Sequence, residues 1–185
     1  MNNNIPQLPR YVGNTLDTFN FRLEHVQGKL NDLNVYKSTG PDLLHPRVLR
    51  SPDDVLCGPL NHIFYKSAVT GIIPPDWKSA NVTAIHKEKE HTGTGNYRPI
   101  SLISVVCKTM ERLIKGKIIT YLEGNNLICD SQHGLRNKRS CLTSLLNFFA
   151  LVIDTYYTGN NKAVDLIYMD FQKAFDTVSH ERLLV

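Results

Sequence analysis

The sequence predicts an α+β fold that is rich in helices and contains one short β-hairpin and one further strand. Four stretches carry apolar residues at helical spacing, the pattern of helices that bury one face. Two short apolar runs flank a polar, glycine-bearing loop, which predicts the hairpin, and a third run near the C-terminus predicts the extra strand. A hydrophobic fraction of 42% over 185 residues is enough to form a core.

Each predicted helix follows one stripe of apolar residues. The first covers about residues 19–34. The second covers residues 55–70 and ends at Gly71, a residue type that suits a helix C-terminus. The third follows a stripe over residues 106–122, and the fourth a stripe over residues 142–156.

The strands are predicted at residues 80–86, 98–102 and 164–169. The third strand is expected to be buried and to end at Asp170, where a carboxylate could hold a divalent metal ion. Residue spacing alone favours a simpler interpretation, in which Asp170 only ends a strand and Asp176 only caps a helix.

Composition and charge narrow the possible classes of protein but do not identify one. The net charge of +4 permits a polyanionic partner such as nucleic acid but does not require one. The four cysteines form no Cys-x-x-Cys pair, which favours reduced thiols inside the cell. No stretch has the pattern of a secretory signal or a membrane span, so we expect an intracellular protein, cytoplasmic or nuclear, without a membrane partner. Residues 1–15 are expected to be a disordered tail, and His86 and His91 are interpreted as solvated loop residues rather than a ligand pair.

Two groups of basic residues are candidates for contact with a nucleic-acid backbone. They are Lys108, Arg112 and Lys115, at helical spacing in the third helix, and Arg136, Lys138 and Arg139, in the loop before the fourth. For the helix group, a solvated surface is the default interpretation and a surface that faces phosphates is the alternative. For the loop group, the interpretation is contact with a nucleic-acid backbone.

Five sequence blocks carry a resemblance to a known family. The segment DFQKAFDTVSHERLL at residues 170–184 resembles motif A of reverse transcriptases, in the form found in non-LTR (LINE-like, jockey-type) retrotransposons. The other blocks stand in the family's order and are KSTGPD at 37–42, PPDWK at 74–78, NYRPISL at 96–102 and QHGLR at 132–136. Leu135 stands where the family usually has Phe. One block alone would be weak, but five in order make the resemblance specific, and it covers about residues 19–185.

The resemblance implies a right-hand polymerase fold, of which this chain holds the fingers and the beginning of the palm. Residues 16–185 would then be a partial reverse transcriptase domain, with a finger hairpin at 82–102 and the first palm strand before Asp170. The implied activity is RNA-directed DNA synthesis. Its partners would be an RNA template, a DNA primer, deoxynucleoside triphosphates and two Mg²⁺ ions.

The resemblance also implies roles for individual residues. Asp170 matches the first catalytic, metal-binding aspartate, and Phe171 would lend its backbone carbonyl to the metal. Phe175 matches the aromatic residue that screens the sugar 2′ position. Arg98 matches a finger residue that contacts the incoming triphosphate across the cleft from Asp170, and Lys87 resembles a second one, although the neighbouring KEKE run leaves its alignment open.

Two expectations concern what the chain does by itself. The resemblance ends shortly after motif A, and two-metal phosphoryl transfer needs several carboxylates, so we expect the isolated chain to be inactive. The alternative function is a nucleic-acid-binding remnant of a degenerate or domesticated element, without catalysis.

Overall fold

The computed structural model describes residues 16, 20–87, 90–158, 163–170 and 178–179. These residues belong to two compact units, one reaching to Leu127 and the other beginning at Ile128. The architecture is a set of helices with one small antiparallel sheet, as the sequence predicts at the level of fold class. Among the described residues, no helix is long and apolar enough to cross a membrane.

The first unit contains most of the regular structure. Its helices are α1 (Leu23–Asn31), α2 (Pro46–Arg50), α3 (Asp53–Thr70) and α4 (Val105–Gly124), and its strands are β1 (Ala80–His86) and β2 (Tyr97–Ile103). Two short 3₁₀ turns, Pro75–Lys78 and Thr94–Asn96, precede the two strands.

The core of this unit lies where α1 packs against α3 and α4. Phe64 of α3 is fully buried at its centre. The ring of Phe64 meets Phe21 at a centroid distance of 6.1 Å and Trp77 at 5.9 Å, both in edge-on geometry. Aromatic pairs in this arrangement contribute stability in addition to that from the apolar area they bury. Trp77 belongs to the PPDWK block, so the structure explains the tryptophan of that block as a residue packed against the core.

The helix boundaries agree with the sequence where a strong local signal exists. Helix α3 ends at Gly71, whose φ of 69° places it in the left-handed region that favours glycine. Helix α1 is shorter than predicted because Arg22, the residue before it, is extended. Helix α2 was not predicted, since its five residues are too few to show a period. Its start is marked by Pro46 at the first turn and by His45, whose Nδ1 accepts a hydrogen bond from Arg47 N.

The predicted hairpin is confirmed. Strands β1 and β2 pair antiparallel from Ala80↔Ile103 to His86↔Tyr97.

The stripe predicted for the third helix is confirmed as α4, which is capped by Ser104. That hydroxyl accepts hydrogen bonds from Val106 N at 3.2 Å and Cys107 N at 3.4 Å.

The second unit contains α5 (Cys141–Thr158), which confirms the fourth predicted helix. The predicted buried strand at residues 164–169 is wrong, because the structure assigns no strand to residues 163–170. The side chains of Ile167, Tyr168 and Met169 are 86%, 78% and 87% exposed. A strand is stable only when it pairs with another, and among the described residues the one sheet consists of β1 and β2. The apolar run therefore has no pairing partner there.

Candidate nucleotide and nucleic-acid site

The hairpin brings two predicted triphosphate contacts to the same face. Arg98 lies on β2 opposite Ile85, and Lys87 follows β1 directly, with its N–H donating to Asn96 O at 2.7 Å. Side chains alternate along a strand, so Lys87 and Arg98 point to one face as diagonal neighbours across the pair. Arg98 is exposed, while the Lys87 ammonium reaches back to Gly95 O at 3.2 Å. The structure thus gives Lys87 a defined position next to Arg98.

A group of rings lies where this hairpin turns. His86 stacks on His91 with centroids 3.7 Å apart and planes within 17°, and Tyr97 meets His86 edge-on at 5.2 Å. The Tyr97 hydroxyl donates to His91 O at 3.0 Å. The lone pair of an imidazole lies in the ring plane, so two nearly parallel stacked rings do not converge on one metal ion. The pair therefore holds the loop together and is a poor metal site, and stacking was not foreseen from the sequence.

The basic stripe on α4 is present. Lys108 is half-buried, and Arg112 and Lys115 are exposed on the same side of the helix. Within residues 20–158, apart from the gap at 88–89, none of the three forms an ion pair. In the described part of the chain, the three cations thus share one helix face and have no acidic neighbour at ion-pair distance.

The basic loop before α5 has a different organisation. Arg136 Nη1 donates to Cys129 O at 3.1 Å, and Asp130 lies 3.9 Å from Arg136 and 3.6 Å from Arg139. Asp130 is 95% exposed, so these ion pairs contribute little stability. Lys138 is exposed and has a φ of 60°, which turns the chain sharply between the two arginines. Arg136 and Arg139 thus hold the loop's own shape, while Lys138 is open to a partner.

The start of α5 is fixed by a hydrogen-bonded group that the sequence analysis missed. Ser140 N donates to Thr143 Oγ1 at 2.8 Å, and Thr143 N donates to Ser140 Oγ at 3.2 Å, the reciprocal pattern of a capping box. The Thr143 hydroxyl donates to Ser140 O, so it accepts from His133 Nδ1 at 2.9 Å. The signal for this cap was available, as Ser and Thr stand three residues apart just before an apolar stripe.

Asp170 is exposed at the end of the 163–170 segment. The segment is linked to α5 through Tyr168, whose ring lies 5.9 Å from Phe148. Phe171 and Phe175, to which the resemblance gives roles beside the metal and the sugar, lie outside the described residues, as does Asp176. A carboxylate is the donor type that Mg²⁺ prefers, so Asp170 fits the implied ion as one ligand. Among the described residues, no group of three His, Cys, Asp or Glu side chains is placed to hold a metal.

Arg98 and Asp170 belong to different units. Their common cleft remains a prediction.

The thiols differ in their chemistry. Burial, together with the nearby Glu111 carboxylate, raises the pKa of Cys107 to about 11. A hydrogen bond from the Ser131 side chain lowers the pKa of the exposed Cys129 thiol. Cys107 is therefore inert in neutral solution and Cys129 is the more reactive of the two.

The first sequence block has a structural explanation. Gly40 is buried, and a Cβ at that position would lie 2.6 Å from Ile103 C, Ile103 O and Ser104 N. These atoms join β2 to α4. The KSTGPD block therefore packs its glycine against the backbone that follows the NYRPISL block, and only glycine allows that approach.

Comparison with known proteins identifies the family. A family model described as reverse transcriptase (RNA-dependent DNA polymerase) matches residues 85–185, more than half of the chain. The chain belongs to the reverse transcriptase family. The match includes β2, α4, α5 and the motif A segment.

Curated relatives of this reverse transcriptase chain come from non-LTR elements. It is 33% identical to the RNA-directed DNA polymerase from mobile element jockey of Drosophila melanogaster, over 88% of this chain. It is 26% identical over 88% of the chain to the probable RNA-directed DNA polymerase from transposon BS, and 28% identical over 69% to that from transposon X-element, both of the same fly. The chain spans 18% of the length of the jockey and BS relatives.

Proposed function

We propose that this chain is part of an RNA-directed DNA polymerase of a non-LTR retrotransposon, to which it contributes the fingers and the beginning of the palm. The proposal rests on the family match together with one observation of geometry. The hairpin places the cations Lys87 and Arg98 on the same face, which supports its assignment to the fingers. The reaction is transfer of a deoxynucleotide to a primer 3′-OH, directed by an RNA template.

The two cations of the hairpin suit the triphosphate of an incoming nucleotide. The guanidinium of Arg98 is planar, remains charged at every physiological pH and can grip two phosphate oxygens at once. The ammonium of Lys87 acts as a mobile point charge that can leave the weak acceptor Gly95 O for a phosphate. Positioning and charge neutralisation are what phosphoryl transfer chiefly requires of a protein.

The same proposal gives roles to the other predicted site residues. Asp170 would be the catalytic carboxylate and would hold Mg²⁺ together with the Phe171 carbonyl, and Phe175 would screen the sugar. The bound ions would neutralise charge on the transferring phosphate. The basic residues of α4 and Lys138 would contact the template or primer backbone, which gives affinity without sequence specificity. We place this activity inside the cell, in the cytoplasm or the nucleus.

The test is primer extension on an RNA template by the full-length element protein. Asp170→Asn should abolish extension while RNA binding remains. Arg98→Ala should raise the KM for deoxynucleotides by at least about tenfold, since hydrogen bonds to a charged group contribute roughly 1.5–3 kcal/mol. Arg98→Lys should recover part of that loss because it keeps the charge.

The matched control is Lys66→Ala, which removes an exposed cation from α3. It should leave KM unchanged. Primer extension that persists in Asp170→Asn would overturn the assignment of Asp170 as the catalytic carboxylate. RNA binding without any extension by the wild-type protein would support the non-catalytic remnant instead.

A further inference from the structure

A concave surface beside the end of α1 plays no part in the site described above. It consists of two adjoining hollows of about 390 and 420 Å³ that share Asn31, Val35 and Arg50. Helix α2 contributes Arg47 and Arg50, Ser51 follows it, and the turn after α1 contributes Asn34 and Tyr36. We call this surface the arginine–tyrosine groove. Its polar residue types are those that contact phosphate and sugar in nucleic-acid complexes.

The groove carries positive charge that can reach a ligand. Arg47 and Arg50 are both exposed, and they lie three residues apart on one helix, on the same side. Arg50 Nη1 donates to Leu33 O at 3.5 Å, which uses one of its five N–H donors at the groove wall. The acidic residue on the rim, Asp32, lies 3.9 Å from Lys29.

The aromatic side chain of the groove stands in solvent. Tyr36 is 88% exposed, and none of the ring contacts within the described residues involves it. The turn that carries it is well defined, because Asn34 Oδ1 accepts from Tyr36 N at 2.9 Å and Asn34 O accepts from Lys37 N at 3.2 Å. Side-chain capping of this kind holds the turn and presents the ring outward.

We propose that the arginine–tyrosine groove binds single-stranded RNA, with Arg47 and Arg50 on consecutive phosphates and Tyr36 stacked on an unpaired base. A ring next to paired cations is the recurring arrangement of single-strand binding surfaces. A duplex keeps its bases stacked on each other, so it cannot use Tyr36. The inference rests on the proposed function in taking RNA as the partner, and it adds a contact surface outside the hairpin, α4 and the basic loop.

The first test measures binding of the 185-residue chain to a fluorescent single-stranded RNA of about 12 nucleotides, within the range of single-strand site sizes. The dissociation constant is measured over a series of salt concentrations. Each phosphate contact on a single strand contributes about 0.7 to the slope of log K against log salt. Arg47→Gln with Arg50→Gln should therefore weaken binding and reduce the slope by about 1.4. The matched control, Lys66→Gln with Lys78→Gln, removes two exposed cations elsewhere in the same unit and should leave the slope unchanged.

The second test isolates the ring. Tyr36→Ala should weaken single-strand binding by about fivefold or more, since stacking of one base contributes roughly 1–3 kcal/mol, and Tyr36→Phe should bind as the wild type. Circular dichroism shows whether each variant is folded, which is expected because all the substituted side chains are exposed.

Three outcomes would overturn the proposal that the groove binds single-stranded RNA. They are equal effects of the glutamine pair and its lysine control, no effect of Tyr36→Ala on single-strand binding, and a loss of duplex RNA binding in Tyr36→Ala as large as the loss of single-strand binding. Each would leave the proposed polymerase function standing, because that function is tested separately by extension in the full-length protein.

Discussion

At the scale of single residues, the backbone contacts of Gly40 give the sharpest prediction. Gly40→Ala would place a methyl group 2.6 Å from backbone atoms of Ile103 and Ser104, which cannot move aside as a flexible side chain would. We expect a loss of about 1–3 kcal/mol in the free energy of unfolding, the usual cost of overpacking. Urea unfolding followed by the fluorescence of Trp77, the chain's single tryptophan, reports this directly because Trp77 packs on the core.

The control for Gly40 is another glycine with the opposite expectation. A Cβ at Gly28, in the middle of α1, meets nothing within 4 Å. Gly28→Ala should therefore stabilise the chain by roughly 0.5–1 kcal/mol, because alanine loses less conformational freedom in a helix. Equal effects of the two substitutions would contradict the close approach at Gly40.

A second residue-scale prediction concerns the thiols. Because the pKa of Cys107 is raised to about 11, its thiol is protonated in neutral and mildly alkaline solution, whereas the lowered pKa of Cys129 increases its thiolate fraction there. A disulfide reagent at about pH 8 should modify Cys129 first and leave Cys107 unmodified while the chain is folded. Mass spectrometry after partial labelling measures the order.

Ser131→Ala should slow the labelling of Cys129, because the Ser131 hydrogen bond is the largest cause of the lowered pKa. Cys141, which is also exposed, serves as the internal reference and should keep its rate. A variant in which both rates fall together would point to a change of the whole loop instead.

At the scale of elements, the N-terminus of α4 supports the hairpin and the basic stripe at once. Ser104 is fully buried, caps α4 and directly follows β2. Ser104→Ala should cost about 1 kcal/mol or more, as loss of a cap usually does. Ser101→Ala, on the exposed part of β2, is the matched control and should cost much less. Equal losses in denaturant titrations would rule out capping as the cause.

The same elements show what sequence can and cannot predict. The hairpin strands and α4 follow from local patterns, since alternation and apolar spacing are properties of neighbouring residues. Helix α2 is too short to show a period, and the contact of Gly40 with Ser104 joins positions far apart in sequence. The wrong strand at residues 164–169 has a different cause. Its composition suits a strand, but pairing depends on other segments, and the described residues offer none. For the site, the sequence placed Arg98 correctly on the hairpin, and only the register placed Lys87 beside it.

At the scale of the whole chain, α5 determines how it behaves in solution. None of its residues is buried, although Leu145, Leu146 and Phe149 are all apolar and 50%, 59% and 52% exposed. A continuous apolar surface of this kind favours association. We expect concentration-dependent oligomers by light scattering and binding of a hydrophobic dye. Leu146→Gln with Phe149→Gln should reduce both, and Lys66→Gln should not.

The final prediction concerns catalysis by this chain alone. Two divalent ions a few ångströms apart repel strongly, and several carboxylates must neutralise them. The resemblance assigns a metal-binding carboxylate only at Asp170, and the chain spans 18% of the length of its jockey relative. We therefore expect no primer extension by the purified 185-residue chain with Mg²⁺ and an RNA template, under conditions in which it still binds RNA. The comparison is with Asp170→Ala in the same chain. Extension by the wild-type chain that disappears in this variant would show that Asp170 acts with carboxylates within these 185 residues, and the assignment of a single metal ligand would be wrong.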